Sequence, residues 1–182
     1  MIFGMIDINE TNDSKAHILC KSCGLCCTGY LFIWAKLRPA ELDSAEALGM
    51  QVFRSDPSHR RFSQPCPLWQ GQCTIYDTPH YPHVCRAYKC KLLIKLHNDE
   101  TSLPNALTVV GQTKEMIREL ELLLPISSSI NFRERLVAHL ETLQKSARQE
   151  KTDIEFSLKA EALLIFYEKV FEVKDFLDLP DN

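Results

Sequence analysis

Four cysteines fall within eight residues, Cys20, Cys23, Cys26 and Cys27, in the order C-x-x-C-x-x-C-C, and the other four follow at Cys66, Cys73, Cys85 and Cys90. This spacing suits metal chemistry, because the pair inside each C-x-x-C folds into a knuckle that turns both sulfurs toward one centre. Gly24 supports such a turn by tolerating positive φ. Three cysteines at C-x-x-C-x-x-C, completed by a fourth from elsewhere, also follow the ligation logic of cubane iron–sulfur clusters. Cys27 complicates that picture. Adjacent residues rarely send side chains to one point, so Cys26 and Cys27 are expected to face different centres or to bridge two ions. The eight cysteines are therefore expected to converge on zinc or on iron, the latter as ions or as an iron–sulfur cluster, in two four-ligand sites or one multinuclear site. Thiolates exclude ions that prefer oxygen.

A disulfide framework is the competing use of eight cysteines. The start of the chain, Met1-Ile2-Phe3-Gly4-Met5-Ile6-Asp7, has no basic region, no long apolar run and no small-residue cleavage site. The expectation is a cytoplasmic, reducing setting in which disulfides rarely persist. His80 and His83, between Cys73 and Cys85, could replace or supplement a thiolate, although eight cysteines already fill two tetrahedral sites. His17 stands three residues before Cys20 and is a weaker candidate. His59, His97 and His139 read as surface residues. Arg86 directly follows Cys85, where a guanidinium could donate to a thiolate and offset its charge; an ordinary surface ion pair is the alternative. Tyr76 and Tyr88 either wall the site from water or fill the core beneath it, and Trp34 and Trp69 read as core.

The elements that must hold these residues are mainly α-helical. Residues 1–19 read as a flexible polar arm, and Tyr30–Trp34 as a strand or buried loop. Pro39 opens a helix that Gly49 stops. Residues 55–81, rich in Pro, Ser, Asp, Gln and His, are expected to order only around metal, since structural zinc can contribute about 10–16 kcal/mol. Leu92, Leu93 and Leu96 begin a helical pattern that Asn98-Asp99-Glu100 interrupts. Ser102 as N-cap and Pro104 in the first turn then start a helix with Leu107, Val110, the Lys114 stem, Ile117, Leu120 and Leu124 on its apolar face. Phe132, Leu136, Leu140 and Leu143 mark the next. Thr152-Asp153-Ile154-Glu155 reads as a capping box opening a last helix, with Leu158, Ala162, Ile165, Phe166 and Val170 inward. The 145–151 charged run reads as a solvated helix end and loop. These expectations give an irregular cysteine-rich module at 20–97 packed, as one unit, on a bundle of about four helices that fills 98–182.

The second cysteine group reads Pro65-Cys66-Pro67-Leu68, Cys73-Thr74-Ile75-Tyr76-Asp77 and Cys85-Arg86-Ala87-Tyr88-Lys89-Cys90. Together with Cys20 to Cys27 it resembles the CxxCxxCC family of YkgJ-like cysteine-cluster proteins, whose pattern runs CxxCGxCC, CPxL, CxIY and CRxxxC. The resemblance covers roughly residues 20–90 and extends toward the helix after Ser102. It implies a zinc- or iron-chelating domain; relatives include a flagellin lysine methylase that resembles iron–sulfur proteins. The chain departs from the pattern at Thr78-Pro79-His80-Tyr81-Pro82-His83, a longer stretch than the Arg-Pro frequent after the family's tyrosine.

With 21 basic and 24 acidic residues and a net charge of −3, the chain shows no electrostatic footprint for nucleic acid. No apolar run approaches the roughly 18 residues of a membrane span. No P-loop, G-x-G-x-x-G, H-E-x-x-H or Ser/His/Asp order is present. A Cys85–His83 nucleophilic pair can be drawn, but the same thiol is wanted as a ligand. The expected function is a non-enzymatic or accessory metal-binding protein whose helical half docks a protein partner. An iron–sulfur oxidoreductase or electron-transfer protein is the alternative.

Overall fold

The computed structural model describes residues 12–146 and 150–173. Helix α1 (Asn12–Cys23) leads into a tight turn, strand β1 (Trp34–Lys36), a 3-10 turn (Pro39–Glu41) and α2 (Leu42–Ala47). Strands β2 (Val52–Phe53) and β3 (Arg61–Ser63) follow, then the short helices α3 (His83–Ala87) and α4 (Lys91–His97). The remainder is α5 (Leu103–Glu121), α6 (Phe132–Lys145) and α7 (Lys151–Phe171). The fold is mainly α, as the hydrophobic periodicity predicts.

Two hydrophobic cores lie under these elements. The larger draws Leu19, Leu25, Leu31, Leu92 and Leu96 from the cysteine-bearing segment together with Val110, Ile117, Leu120, Phe132, Leu136, Phe156, Leu163 and Tyr167 from the long helices. The smaller holds only Leu37, Leu42, Ala45, Met50 and Phe62. Its sheet is antiparallel, in the order β1-β3-β2, with Ala35 and Val52 both opposite Phe62. Phe62 is 1% exposed, and the Arg61 guanidinium lies over the Trp34 and Phe53 rings at 5.2 and 5.7 Å.

This sheet revises the expectation for residues 55–81, because β3 sits within them and buries an apolar anchor. Three residues with one phenylalanine are too few to register as period-2 alternation. The flexible arm also differs. Residues from Asn12 are helical and Leu19 is buried, while 1–11 lie outside the described residues. Isolated helices of about a dozen residues are marginal, and here packing against α4 and α5 supplies what the sequence pattern lacks.

Ser102 caps α5 as predicted, its hydroxyl accepting the Asn105 N–H at 3.3 Å. Ala106 and Thr113 take the buried positions, while Leu107 and Lys114 face outward. At α7 the capping box is Glu150 with Asp153, whose carboxylate accepts the Glu150 N–H at 2.9 Å, in place of the predicted Thr152–Glu155. The buried stripe of α7 is Phe156, Ala160, Leu163, Tyr167 and Phe171. The predicted Leu158 and Ile165 are 63% and 50% exposed, and Ala162 is also exposed. This helix is apolar on more than one side, and the stripe with three aromatic rings buries the greater area. Part of the 145–151 run lies outside the described residues.

One side chain joins the cysteine-bearing segment to the long helices. Asn131 is 3% exposed and caps α6, its Oδ1 accepting the Glu134 N–H at 3.0 Å. Its Nδ2 donates to the carbonyls of Phe32 (3.2 Å) and Gln64 (3.1 Å). Gly29, at φ +75, allows this approach, since a Cβ there would stand 2.5 Å from Nδ2.

Candidate metal centre

All eight cysteines are free and half-buried. Cys20 and Cys23 lie three apart on α1, which brings them to one face of the helix. The chain then turns sharply through Gly24, at φ +73, where the Trp69 ring covers the Cα so closely that a Cβ would meet it at 2.1 Å. Thr28 donates to the Gly24 carbonyl through both its N–H and its hydroxyl, each at 2.9 Å, and this holds Cys26 and Cys27 in a helical turn. The Cys66 N–H donates to the Cys27 carbonyl at 2.7 Å, and the Cys73 N–H to the Lys21 carbonyl at 3.4 Å. Those two bonds bring the second cysteine group against the first. Cys85 stands on α3, and Cys90 is the N-cap residue of α4.

Burial pushes every thiol above its ordinary range, Cys23 to about 11 and Cys20 and Cys85 to about 12. Neighbouring thiols push most of them further, Cys26 and Cys27 well above the usual thiol range. Several groups favour the charged form. Backbone N–H groups turn toward four sulfurs: Leu25 toward Cys23, Leu68 toward Cys66, Ile75 and Tyr76 toward Cys73, and Leu92 and Leu93 toward Cys90. Lys114 acts on Cys23 and Lys21 on Cys73. Metal-free, these thiols therefore hold their protons at neutral pH, and any metal they take must displace protons.

The aromatic candidates line this region. The Tyr76 side chain reaches Cys20, and its ring stacks on His17 at 4.3 Å and tilts against Tyr81 at 5.0 Å. Tyr81, which sequence reasoning missed, donates from its hydroxyl to the Cys85 carbonyl at 3.1 Å. Tyr88 stands edge-on to Phe32 with Cys26 and Cys90 as electrostatic neighbours.

The histidines are otherwise engaged or distant. His17 Nε2 pairs with Asp77 at 2.9 Å, His80 is exposed, and His83 is exposed while its N–H donates to Glu41 Oε1 at 2.6 Å. His139 is half-buried edge-on to Phe156, in place of the surface position expected. The Arg86 guanidinium, expected at a thiolate, donates to the Thr78 carbonyl at 3.4 Å and lies 5.7 Å from the Tyr81 ring centre. Lys21 and Lys114 are the cations that act on the sulfurs. Neither is adjacent in sequence to the cysteine it serves, so no spacing signal announced them.

Among the described residues, no three of His, Cys, Asp and Glu stand in a geometry ready to hold an ion. The thiols are electrostatic neighbours without being drawn into a coordination shell. The chemistry of the donors nevertheless fits a soft metal: reduced sulfur ligands, N–H groups toward four of them and two nearby lysines.

Residues 19–108 match the model of the CxxCxxCC family, described as "Putative zinc- or iron-chelating domain". The match starts within α1 and ends inside α5, so it takes in every cysteine. No curated protein and no solved structure matches the chain. Among the described residues, no helix is long and apolar enough to cross a membrane.

Proposed function

We propose that the protein is a cytoplasmic, non-enzymatic or accessory metalloprotein in which Cys20, Cys23, Cys26, Cys27, Cys66, Cys73, Cys85 and Cys90 ligate zinc or iron. The observation that carries this reading is the meeting of two cysteine groups, 39 residues apart in sequence at Cys27 and Cys66, through a direct backbone hydrogen bond, with none of the eight cysteines in a disulfide. Bound metal would supply thiolate crosslinks between α1, the Gly24 turn, α3 and the start of α4. Zinc–sulfur bonds of about 2.3 Å require the gathered side chains to close inward, and a cysteine has one side-chain torsion to make that adjustment. The cysteine-bearing segment and the long helices act in this reading as one folding unit, because they share the larger core. A protein partner for the helical half belongs to the same reading, with the exposed Leu158 and Ile165 as the residues to test.

Anaerobic purification followed by elemental analysis and a visible spectrum tests the assignment. Zinc gives a colourless protein, whereas iron with sulfide gives a brown one. Reduced protein that holds neither zinc nor iron would overturn the ligand reading. The electron-transfer alternative is favoured by the C-x-x-C-x-x-C run, and a reversible redox signal between about −700 and +450 mV would support it.

A further inference from the structure

We propose that the eight cysteines form two separate four-thiolate centres, divided at the Cys26–Cys27 peptide bond: Cys20, Cys23, Cys26 and Cys90 beside the helical core, and Cys27, Cys66, Cys73 and Cys85 beside the sheet. This rests on the reading that these cysteines hold metal, and it assigns each of them to a centre.

The two cores supply the geometric argument. Cys23, Cys26 and Cys90 pack against the larger core, whereas Cys66 and Cys85 pack against the smaller. No cysteine packs against both. Backbone connections divide the same way. Helix α1 lies along α4, which sets Cys20 and Cys23 beside Cys90, the N-cap of α4. The Cys27 carbonyl instead accepts the Cys66 N–H, and α3, which carries Cys85, packs on β1 of the small sheet. Between the sets stands a single peptide bond inside a helical turn, where consecutive side chains diverge by about 100°. That divergence keeps the Cys26 and Cys27 side chains from pointing the same way, although the two thiols remain neighbours.

Each set is also internally alike. Two of its four sulfurs face backbone N–H donors, Cys23 and Cys90 in one and Cys66 and Cys73 in the other. Electrostatic neighbours agree with the division. Beyond its chain neighbour Cys27, the thiols around Cys26 are those of Cys23, Cys90 and Cys20, whereas those around Cys27 are Cys85, Cys66, Cys73 and Cys20. Cys20 interacts with both groups and marks the seam between them; its place one helical turn before Cys23 assigns it to the first set.

Titration of the full reduced, metal-free chain with cadmium-113 tests the division, read by cadmium NMR and native mass spectrometry. The expected result is two bound ions with two separate four-sulfur resonances. Cys90→Ser is expected to remove one resonance and about half of the bound metal, and Cys66→Ser the other. Loss of both resonances in either variant, with the helical circular dichroism retained, would establish a single shared cluster and overturn the proposal. In the unaltered chain, cadmium–cadmium coupling through a bridging sulfur would overturn it regardless of how the variants fold. A chain that binds no cadmium at all would instead remove the metal reading beneath it.

Discussion

The helical core and the sheet core are built at different scales, yet cysteines pack against each. Around the first, the three long helices and α4 close over residues as large as Phe132, Phe156 and Tyr167. Around the second, three short strands and α2 close over five buried side chains. A five-residue core supplies little hydrophobic stabilisation against the conformational entropy of the polar loops at 54–60 and 70–82. In the proposed reading, metal–sulfur bonds would matter most where apolar burial is least, on the sheet side.

Metal removal should separate the two regions most strongly. Structural zinc contributes about 10–16 kcal/mol in small domains, as much as a whole fold. Chelated protein is expected to lose amide-exchange protection and become protease-sensitive across residues 61–90, while α5, α6 and α7 keep most of theirs. Simultaneous loss in both regions would mean that the two cores fold only together.

Alkaline pH should widen the same difference in metal-free protein. Folded-state thiol pKa values are raised above the unfolded value, so their contribution to stability is complete below about pH 9 and is lost as pH rises toward 12. Denaturant midpoints of the chelated chain are expected to fall from pH 9 upward. Metal-loaded protein, whose thiolates are already ionised, should show little of this slope.

Turn geometry gives a sharper, local version. Gly24→Ala combines a left-handed φ with a collision against the Trp69 ring, and a loss of about 3 kcal/mol is expected from strain and overpacking together. Gly49→Ala meets no neighbour at a similar φ of +84 and should cost only about 1 kcal/mol. Equal effects by urea denaturation would show that Trp69 does not clamp the turn.

Asn131→Ala is expected to cost about 2 kcal/mol, because it removes the α6 cap and both bonds that reach across to Phe32 and Gln64. Accelerated exchange should appear at α6 and at the sheet simultaneously; an effect confined to α6 would mean that the link does not couple the regions. The smallest effect belongs to Leu158→Ser, within about 0.5 kcal/mol, since this face of α7 meets solvent. A large destabilisation there would restore the stripe expected from the sequence.

Cysteine spacing marked the segment that the family model matches, because the short reach between sulfurs in C-x-x-C is encoded locally. Ser102, Pro104 and Gly49 marked helix ends for equally local reasons. The rest depended on contacts distant in sequence. α7 carries two apolar stripes, and only the helices packed against it select the one with Phe156, Tyr167 and Phe171. Arg86 stood beside a cysteine in sequence and turned to Tyr81 in space, whereas Lys114 acts on Cys23 from 91 residues away.

The sequence by itself determined that eight cysteines lie within one segment, that helices follow it, and that the segment has the pattern of the CxxCxxCC family. Only the tertiary structure decided that β3 forms, that residues before Cys20 are helical, and that Cys26 packs on the larger core while the Cys27 carbonyl accepts the Cys66 N–H. Ligand type is a property of single residues and their immediate spacing. The direction in which a side chain points is set by the surfaces that close around it, and those come from the whole chain.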